Sequence, residues 1–246
     1  MIAEIGYWKS VVANLHAPRV PVVPYVPEHR QLPPKVLAPA TAWQGIESIL
    51  DDIVQRFGIG RRNCLEFGVE YGYSTVALSC FFQNVTGVDT FCGDKHTANK
   101  SDIFEQTSER LRSYENIHLV RSDYRDWIAR DNSHYDLIHV DIVHTYNDTF
   151  TCGLWSVQHA KCVLFHDTLS FPAVMRAVAD IARKTGRRFY NFEESYGLGI
   201  LVPDGEIRLA DQQVFHNTDR TSRKSPVIRI DGFSENSRQT GKSRSG

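Results

Sequence analysis

Five short apolar runs in the middle of this chain each hand over to an acid. Asn63-Cys64-Leu65-Glu66-Phe67 contains one and leads into Gly68 and Gly72. Val85–Val88 is followed by Asp89, and Ile117–Val120 by Ser122-Asp123. Tyr135–Val140 is followed by Asp141, and Cys162–Phe165 by His166-Asp167. If the runs are parallel strands, all these residues arrive at one edge of a sheet, where an open α/β sheet binds its ligands. Like charges gathered on one edge repel each other, and a cationic guest among them removes that cost. The guest can be organic, metallic or both.

The elements that must position these acids can be read around them. Residues 61–89 run strand, glycine turn, apolar helix (Val76–Phe81), strand, acid. That is the order of a nucleotide-binding βαβ unit, with Asp89 about 20 residues beyond the turn. The glycines allow close backbone approach, and the helix N-terminus after them offers free N–H groups to an anion. The dinucleotide pattern GxGxxG fails, because Glu70 and Tyr73 stand where two of its glycines belong. Upstream, Thr41 with Gln44 reads as a capping box for a helix carrying Trp43, Ile46, Ile49, Leu50, Ile53, Val54 and Phe57 on one stripe. Downstream, helices are expected over 101–114, 124–130, 146–160 and 172–184, with Tyr146, Phe150, Leu154 and Val157 facing inward in the third and Val174, Ala177, Val178 and Ile181 in the fourth. Strands around 189–192 and 198–202 complete the set. The alternation predicts an α/β fold: a Rossmann-like three-layer sandwich with a mostly parallel seven-stranded sheet and helices on both faces.

Leu65-Glu66-Phe67-Gly68 followed by Gly72-Tyr73-Ser74 resembles motif I of class I S-adenosylmethionine (SAM) methyltransferases. The form E-x-G-x-x-x-G-Y-S is most similar to metal-dependent O-methyltransferases related to catechol O-methyltransferase, and the resemblance covers roughly residues 43–203. It implies SAM as cofactor, with Glu66, Gly68, Gly72, Tyr73 and Ser74 around the methionine end, Asp89 on the ribose hydroxyls and Asp123 by the adenine. Asp123 equally suits the N-cap of the helix that follows it. The resemblance also implies a divalent metal, Mg or another, held by Asp141, Asp167 and neighbouring His166. Thr168 stands where those enzymes carry Asn. His144, three residues beyond Asp141, occupies their proton-acceptor position, so Asp141 and His144 become the catalytic pair. The D-x-x-H form favours the macrolide-sugar branch.

The chemistry is coherent. An alcohol is a poor nucleophile at neutral pH; a divalent ion lowers its pKa, and a histidine with ordinary pKa near ~6.5 accepts the proton. Two carboxylates suit Mg²⁺, whereas an added imidazole favours Mn, Fe or Zn. Each residue also has a plainer use: His144 as a cap for the helix from Tyr146, His166 as a supporting partner, His139 as a structural residue inside its strand. His96 could line the entrance, and Tyr146 and Trp155 read as core or rim. Two other readings compete. One is a metal-independent methyltransferase with His144 alone as base. The other is a methyltransferase-fold protein with a binding or hydroxylase-like role.

With 41% hydrophobic and 23% charged residues and a net charge of −1, the chain has an ordinary globular composition. Its five cysteines are odd in number and lack CxxC spacing, which fits a reducing, cytoplasmic setting. No apolar run approaches the ~18 residues of a membrane span. Neither a membrane nor a nucleic-acid partner is expected, since no basic surface with interleaved aromatics appears between 43 and 203. The expected substrate is a small hydroxylated molecule. Three regions are expected: an arm (1–40), a methyltransferase domain (41–210) and a disordered polar tail (211–246). Residues 1–17 suit a short helix, and residues 18–39 hold seven of the ten prolines. That arm is extended and wraps the domain through Val20, Val22, Val23, Tyr25 and Val26. It is also the candidate element for a homo-oligomer. Substrate walls are expected from the arm and from residues 90–99, 145–150 and 168–172.

Overall fold

The computed structural model describes residues 20–38, 41–93 and 101–205. The helix expected over 1–17, His96 and the tail from 211 lie outside them. Eight strands form one sheet: β1 (Val22–Pro24), β2 (Asn63–Phe67), β3 (Asn84–Asp89), β4 (Ile117–Arg121), β5 (Tyr135–Val140), β6 (Ala160–His166), β7 (Arg187–Phe192) and β8 (Leu198–Pro203). Their order is β1-β7-β8-β6-β5-β2-β3-β4. Every pairing is parallel except those of β8, which runs antiparallel to β6 and β7. The sheet has one strand more than the seven expected. The addition comes from the Pro-rich arm, where Val22 to Pro24 pair with Phe189 to Asn191. An edge strand is where a proline-punctuated segment can pair, because its missing N–H faces no second neighbour.

Among the described residues six α-helices cover the sheet: α1 (Leu50–Arg56), α2 (Tyr73–Ser79), α3 (Phe104–Leu111), α4 (Tyr124–Ile128), α5 (Tyr146–His159) and α6 (Pro172–Thr185). Two apolar layers result, one on each face. Trp43, Ile46, Ile53 and Phe57 pack against Cys64, Leu137 and Ile200 on one side. Cys152, Val174, Val178 and Ile181 pack against Leu65, Ile138 and Val163 on the other. Among the described residues no helix is long and apolar enough to cross a membrane.

Two local expectations are corrected. The Thr41–Gln44 capping box does not form, since Thr41 Oγ1 accepts from Trp43 N instead. Gly45, at φ +104°, turns the chain sharply, and a 3₁₀ turn (Ile46–Ile49) precedes α1. The apolar stripe still buries in full, because it was set by side-chain spacing and not by the cap. In α5 the inward face is Thr149, Cys152, Gly153, Ser156 and Val157, while Tyr146, Phe150 and Leu154 stand at its margin. The reason is close packing: a Cβ on Gly153 would lie 2.6 Å from Ile181 Cδ1 and 2.7 Å from Phe165 Cε1. Small residues win that face because α6 and β6 approach it too closely for large ones.

Candidate active site

The site forms where β2, β3, β4, β5 and β6 end. Gly68, at φ +88°, follows β2 and passes so close to β5 that a Cβ there would lie 1.7 Å from the Asp141 carbonyl oxygen. Only glycine permits both the left-handed conformation and that contact. Asp141 N in turn donates to Phe67 O at 2.8 Å, which fixes the first residue of the D-x-x-H segment. Gly72, at φ +85°, makes the turn into α2, with Leu111 packed against its α-carbon.

A cavity of about 410 Å³ opens at this edge, within the range of small-molecule sites. Of the anticipated residues, Gly68, Tyr73, Ser74, Asp89, Asp123, Asp141, His144, His166 and Asp167 line it. Gly72 does not; its part is the turn. Glu66 is the larger departure. It is fully buried beneath the cavity, where its carboxylate accepts from Thr75 Oγ1 and pairs with His139 Nδ1 at 3.0 Å. Strand alternation explains this, since Glu66 projects from β2 toward α2 and cannot also reach over the end of the sheet.

Asp89 is held by the backbone. Its Oδ2 accepts from Val69 N (2.8 Å) and Glu70 N (2.9 Å), and its Oδ1 from Phe91 N (2.8 Å). Thr90 Oγ1 makes a fourth, longer contact to Oδ1 at 3.5 Å, so of the roughly four acceptor sites of the carboxylate that one is the most readily given up to a ligand. Asp123 takes the N-cap role anticipated for it and also stands on the cavity wall. It caps α4 by accepting from Arg125 N at 2.8 Å, and it lines the cavity.

The densest chemistry lies at the ends of β5 and β6. His144 Nε2 is 2.9 Å from Asp167 Oδ2 and 3.5 Å from Asp141 Oδ1. His166 Nδ1 is 3.1 Å from Asp141 Oδ2 and 3.5 Å from Asp167 Oδ2. Burial disfavours a charged His144, but the hydrogen bonds and charges of Asp141 and Asp167 outweigh it and push its pKa up to about 9. Burial likewise opposes a charged His166, and the adjacent Asp141 overrides it and raises that imidazole too. Burial would raise the Asp141 carboxyl, yet His166 and His144 hold it well below the usual carboxylate range.

One atom each from Asp141, His144 and Asp167 lies within 4.8 Å of the others, a spacing and donor set that fit one divalent ion. This trio substitutes His144 for the anticipated His166. The Nε2 of His166 donates to the Ser195 carbonyl at 3.1 Å, and its Nδ1 faces the two carboxylates. His166 thus links the Ser195 carbonyl to the two acids. Thr168, in the Asn position of the resembled enzymes, is buried and donates to Asn191 Oδ1 at 2.7 Å, away from the cluster.

Backbone strain marks the same place. Five non-glycine residues among those described have positive φ, and three of them, Glu70, Phe91 and Asp167, line the cavity. A fourth, Ser195, supplies the carbonyl bonded to His166. Such conformations cost about 1–3 kcal/mol each and persist where surrounding contacts over-determine them. Several contributors carried no individual signal in the sequence. Ser195 lies 29 residues from His166, and Phe171 stacks on His144 at 4.1 Å and 7°. Thr41, Ala42 and Trp43, at the junction of arm and domain, also line the cavity. Among the described residues none of the arm (20–38) lines the cavity, contrary to the wall expected from it; the segment directly after it does.

A family model described as a methyltransferase domain matches residues 65–168. No curated sequence is similar enough to count as a relative. Among solved structures, a proposed caffeoyl-CoA O-methyltransferase from Staphylococcus aureus aligns at TM-score 0.52 and 12% identity, over 68% of this chain and 86% of that one. A proposed O-methyltransferase from Klebsiella pneumoniae aligns at 0.50 and 12%, over 69% and 84%. The O-methyltransferase NovP aligns at 0.50 and 14%, over 65% and 80%. At these identities the structures speak for the fold, and the family match speaks for the domain that β2 to β6 build. Residues 65–168 thus match a methyltransferase domain, set in a fold shared with solved O-methyltransferases.

Proposed function

We propose that the protein methylates a hydroxyl group of a small molecule, with the acceptor held at Asp141, His144 and Asp167. The observation that carries this reading is that one cavity joins Asp89 and Asp123 to that cluster. Acids at the ends of β3 and β4 are placed to take the ribose and adenine of SAM, with Gly68, Tyr73 and Ser74 along its methionine portion. In the transfer the acceptor oxygen bonds the methyl carbon as the sulfur–carbon bond breaks. The electron pair stays on sulfur, giving S-adenosylhomocysteine, and the hydroxyl proton must leave.

The cluster decides where that proton goes. A divalent ion, when bound, supplies Lewis acidity that lowers the hydroxyl pKa. Asp141, Asp167 and His144 Nε2 are the residues that would hold it, and the imidazole inclines the set toward Mn, Fe or Zn over Mg. His144 Nε2 cannot ligate an ion and accept a proton at once. With an ion present, His144 completes the ligand set and the proton leaves by way of a carboxylate or solvent. A second reading is favoured by the 2.9 Å contact between His144 and Asp167, a histidine–carboxylate pair that can act as general base without metal in its neutral form, which its raised pKa of about 9 makes dominant only at alkaline pH.

The test is calorimetric titration of S-adenosylhomocysteine into the protein, then of Mn²⁺ into that complex, followed by transfer from labelled SAM to a panel of hydroxylated compounds with and without EDTA. Binding of both ligands and loss of transfer in EDTA support the metal reading. Transfer that survives EDTA supports His144 as base. Failure of S-adenosylhomocysteine to bind would overturn the donor site.

A further inference from the structure

Glu66 is the motif acid that the donor site does not use, and its surroundings show another employment. It belongs to a buried polar chain that runs along one face of the sheet, over β2 and β5. Thr75 Oγ1 donates to Glu66 Oε2, Glu66 Oε1 pairs with His139 Nδ1 at 3.0 Å, and Trp43 Nε1 donates to His139 Nε2 at 3.1 Å. Glu66, Thr75 and His139 are fully buried, and Trp43 is 2% exposed. The protons have only one arrangement. Indole Nε1–H can only donate, so His139 Nε2 must accept. His139 Nδ1 then carries the hydrogen and donates to Glu66, whose other oxygen receives the threonine hydroxyl.

The two ends of this chain are informative. Thr75 lies in α2, directly beyond the glycine turn. Trp43 lies before α1, at the end of the Pro-rich arm, and lines the cavity beside Tyr73 and Ser74. No helix holds Trp43 there, because the turn at Gly45 separates it from α1. Its neighbour Gln44 is tethered from the other side, where Ser195 Oγ donates to the Gln44 carbonyl. A buried polar network that is fully satisfied rigidifies and specifies one arrangement.

We propose that His139 and Glu66 are positioning residues that lock the Trp43 indole in place as a wall of the methyl-donor cavity, so that the motif acid governs donor binding at one remove. The inference rests on the reading of this cavity as the SAM site. The Trp43 wall closes the methionine side of the cavity, and the relay holds its ring in register with α2.

The experiment measures S-adenosylhomocysteine affinity and tryptophan fluorescence in the full-length wild type and three variants. Trp43→Phe keeps an aromatic ring and removes the donor; His139→Leu removes both links. His139→Gln can accept from Trp43 and donate to Glu66 through one amide. Ligand binding should be about tenfold weaker in Trp43→Phe and His139→Leu, the scale of one lost buried hydrogen bond, and should recover in His139→Gln. The ligand-induced fluorescence change should vanish in Trp43→Phe and persist in His139→Gln. Should His139→Leu fail to fold, the comparison of Trp43→Phe with His139→Gln decides. Wild-type binding with all variants unchanged overturns the relay alone, as does equal impairment of the Gln and Leu variants. No binding by the wild type overturns the donor-site reading and the relay with it.

Discussion

At the scale of residues, the proposed ion at Asp141, His144 and Asp167 would compete with a proton. His144 has a pKa raised to about 9, above its ordinary value near ~6.5. A raised folded pKa contributes stability that is fully present below ~6.5 and is lost as pH rises through about 9. Metal binding needs the neutral imidazole, so affinity for a divalent ion should strengthen over the same window. Thermal denaturation with and without Mg²⁺ at pH 6.5 and pH 9 tests this: the shift in Tm caused by the ion should be larger at pH 9. A shift that is larger at pH 6.5, or the same at both, would remove His144 from the ligand set. Asp167 permits a second prediction. It sits at φ +62°, a conformation Asn also tolerates, so Asp167→Asn should fold normally while Mn²⁺ affinity falls about hundredfold or more. Titration calorimetry reads that loss, and undiminished Mn²⁺ binding would place the ion elsewhere.

At the scale of elements, the site depends on how closely β2 and β5 approach at Gly68. Any side chain there meets the Asp141 carbonyl, and φ is +88° besides. Gly68→Ala should therefore cost about 3 kcal/mol or more, measured by urea denaturation, and should displace Asp141 from the cluster. A cost under about 1 kcal/mol would mean the strand ends can spread freely. This geometry also shows what the sequence made legible. Short apolar runs, each ending at an acid, report strand length and direction locally, and that is enough to bring Asp89, Asp123, Asp141 and Asp167 to one edge. The Thr41–Gln44 cap was misread because Gly45, one residue on, accepts a positive φ that overrides a helix start. The α5 face was misread because hydrophobic periodicity favours large residues, whereas close approach to α6 selects Gly153 and Cys152. His166 and Glu66 also have structural partners that the sequence does not announce. Ser195 and His139 lie 29 and 73 residues away in the chain, and no local pattern announces such contacts.

At the scale of the whole molecule, the Pro-rich arm belongs to the fold. Beyond the three residues of β1, Tyr25 is buried among Phe57 and Tyr190, and its hydroxyl donates to Asp52. Asp52 also accepts from the backbone amides of Glu28 (3.1 Å) and His29 (3.3 Å), so one buried carboxylate on α1 gathers the arm as it turns. The guanidinium of Arg56 lies 5.0 Å over the Tyr25 ring and donates to the Val26 carbonyl. The arm then leads to Thr41, Ala42 and Trp43 in the cavity wall, so anchoring at Tyr25 and shaping of the site are parts of one path. Removing a buried aromatic side chain costs about 3–5 kcal/mol, which for a chain of this size lowers Tm by roughly 10 °C. Tyr25→Ala should show that drop and should also weaken S-adenosylhomocysteine binding, because the segment directly after the arm, Thr41 to Trp43, forms part of the wall. Tyr25→Phe keeps the ring and loses one hydrogen bond, so its Tm should fall by only a few degrees, with binding retained. An arm that was merely a linker would leave Tm and affinity unchanged in both variants. An arm that stabilised the sheet edge alone would lower Tm in Tyr25→Ala and spare the affinity.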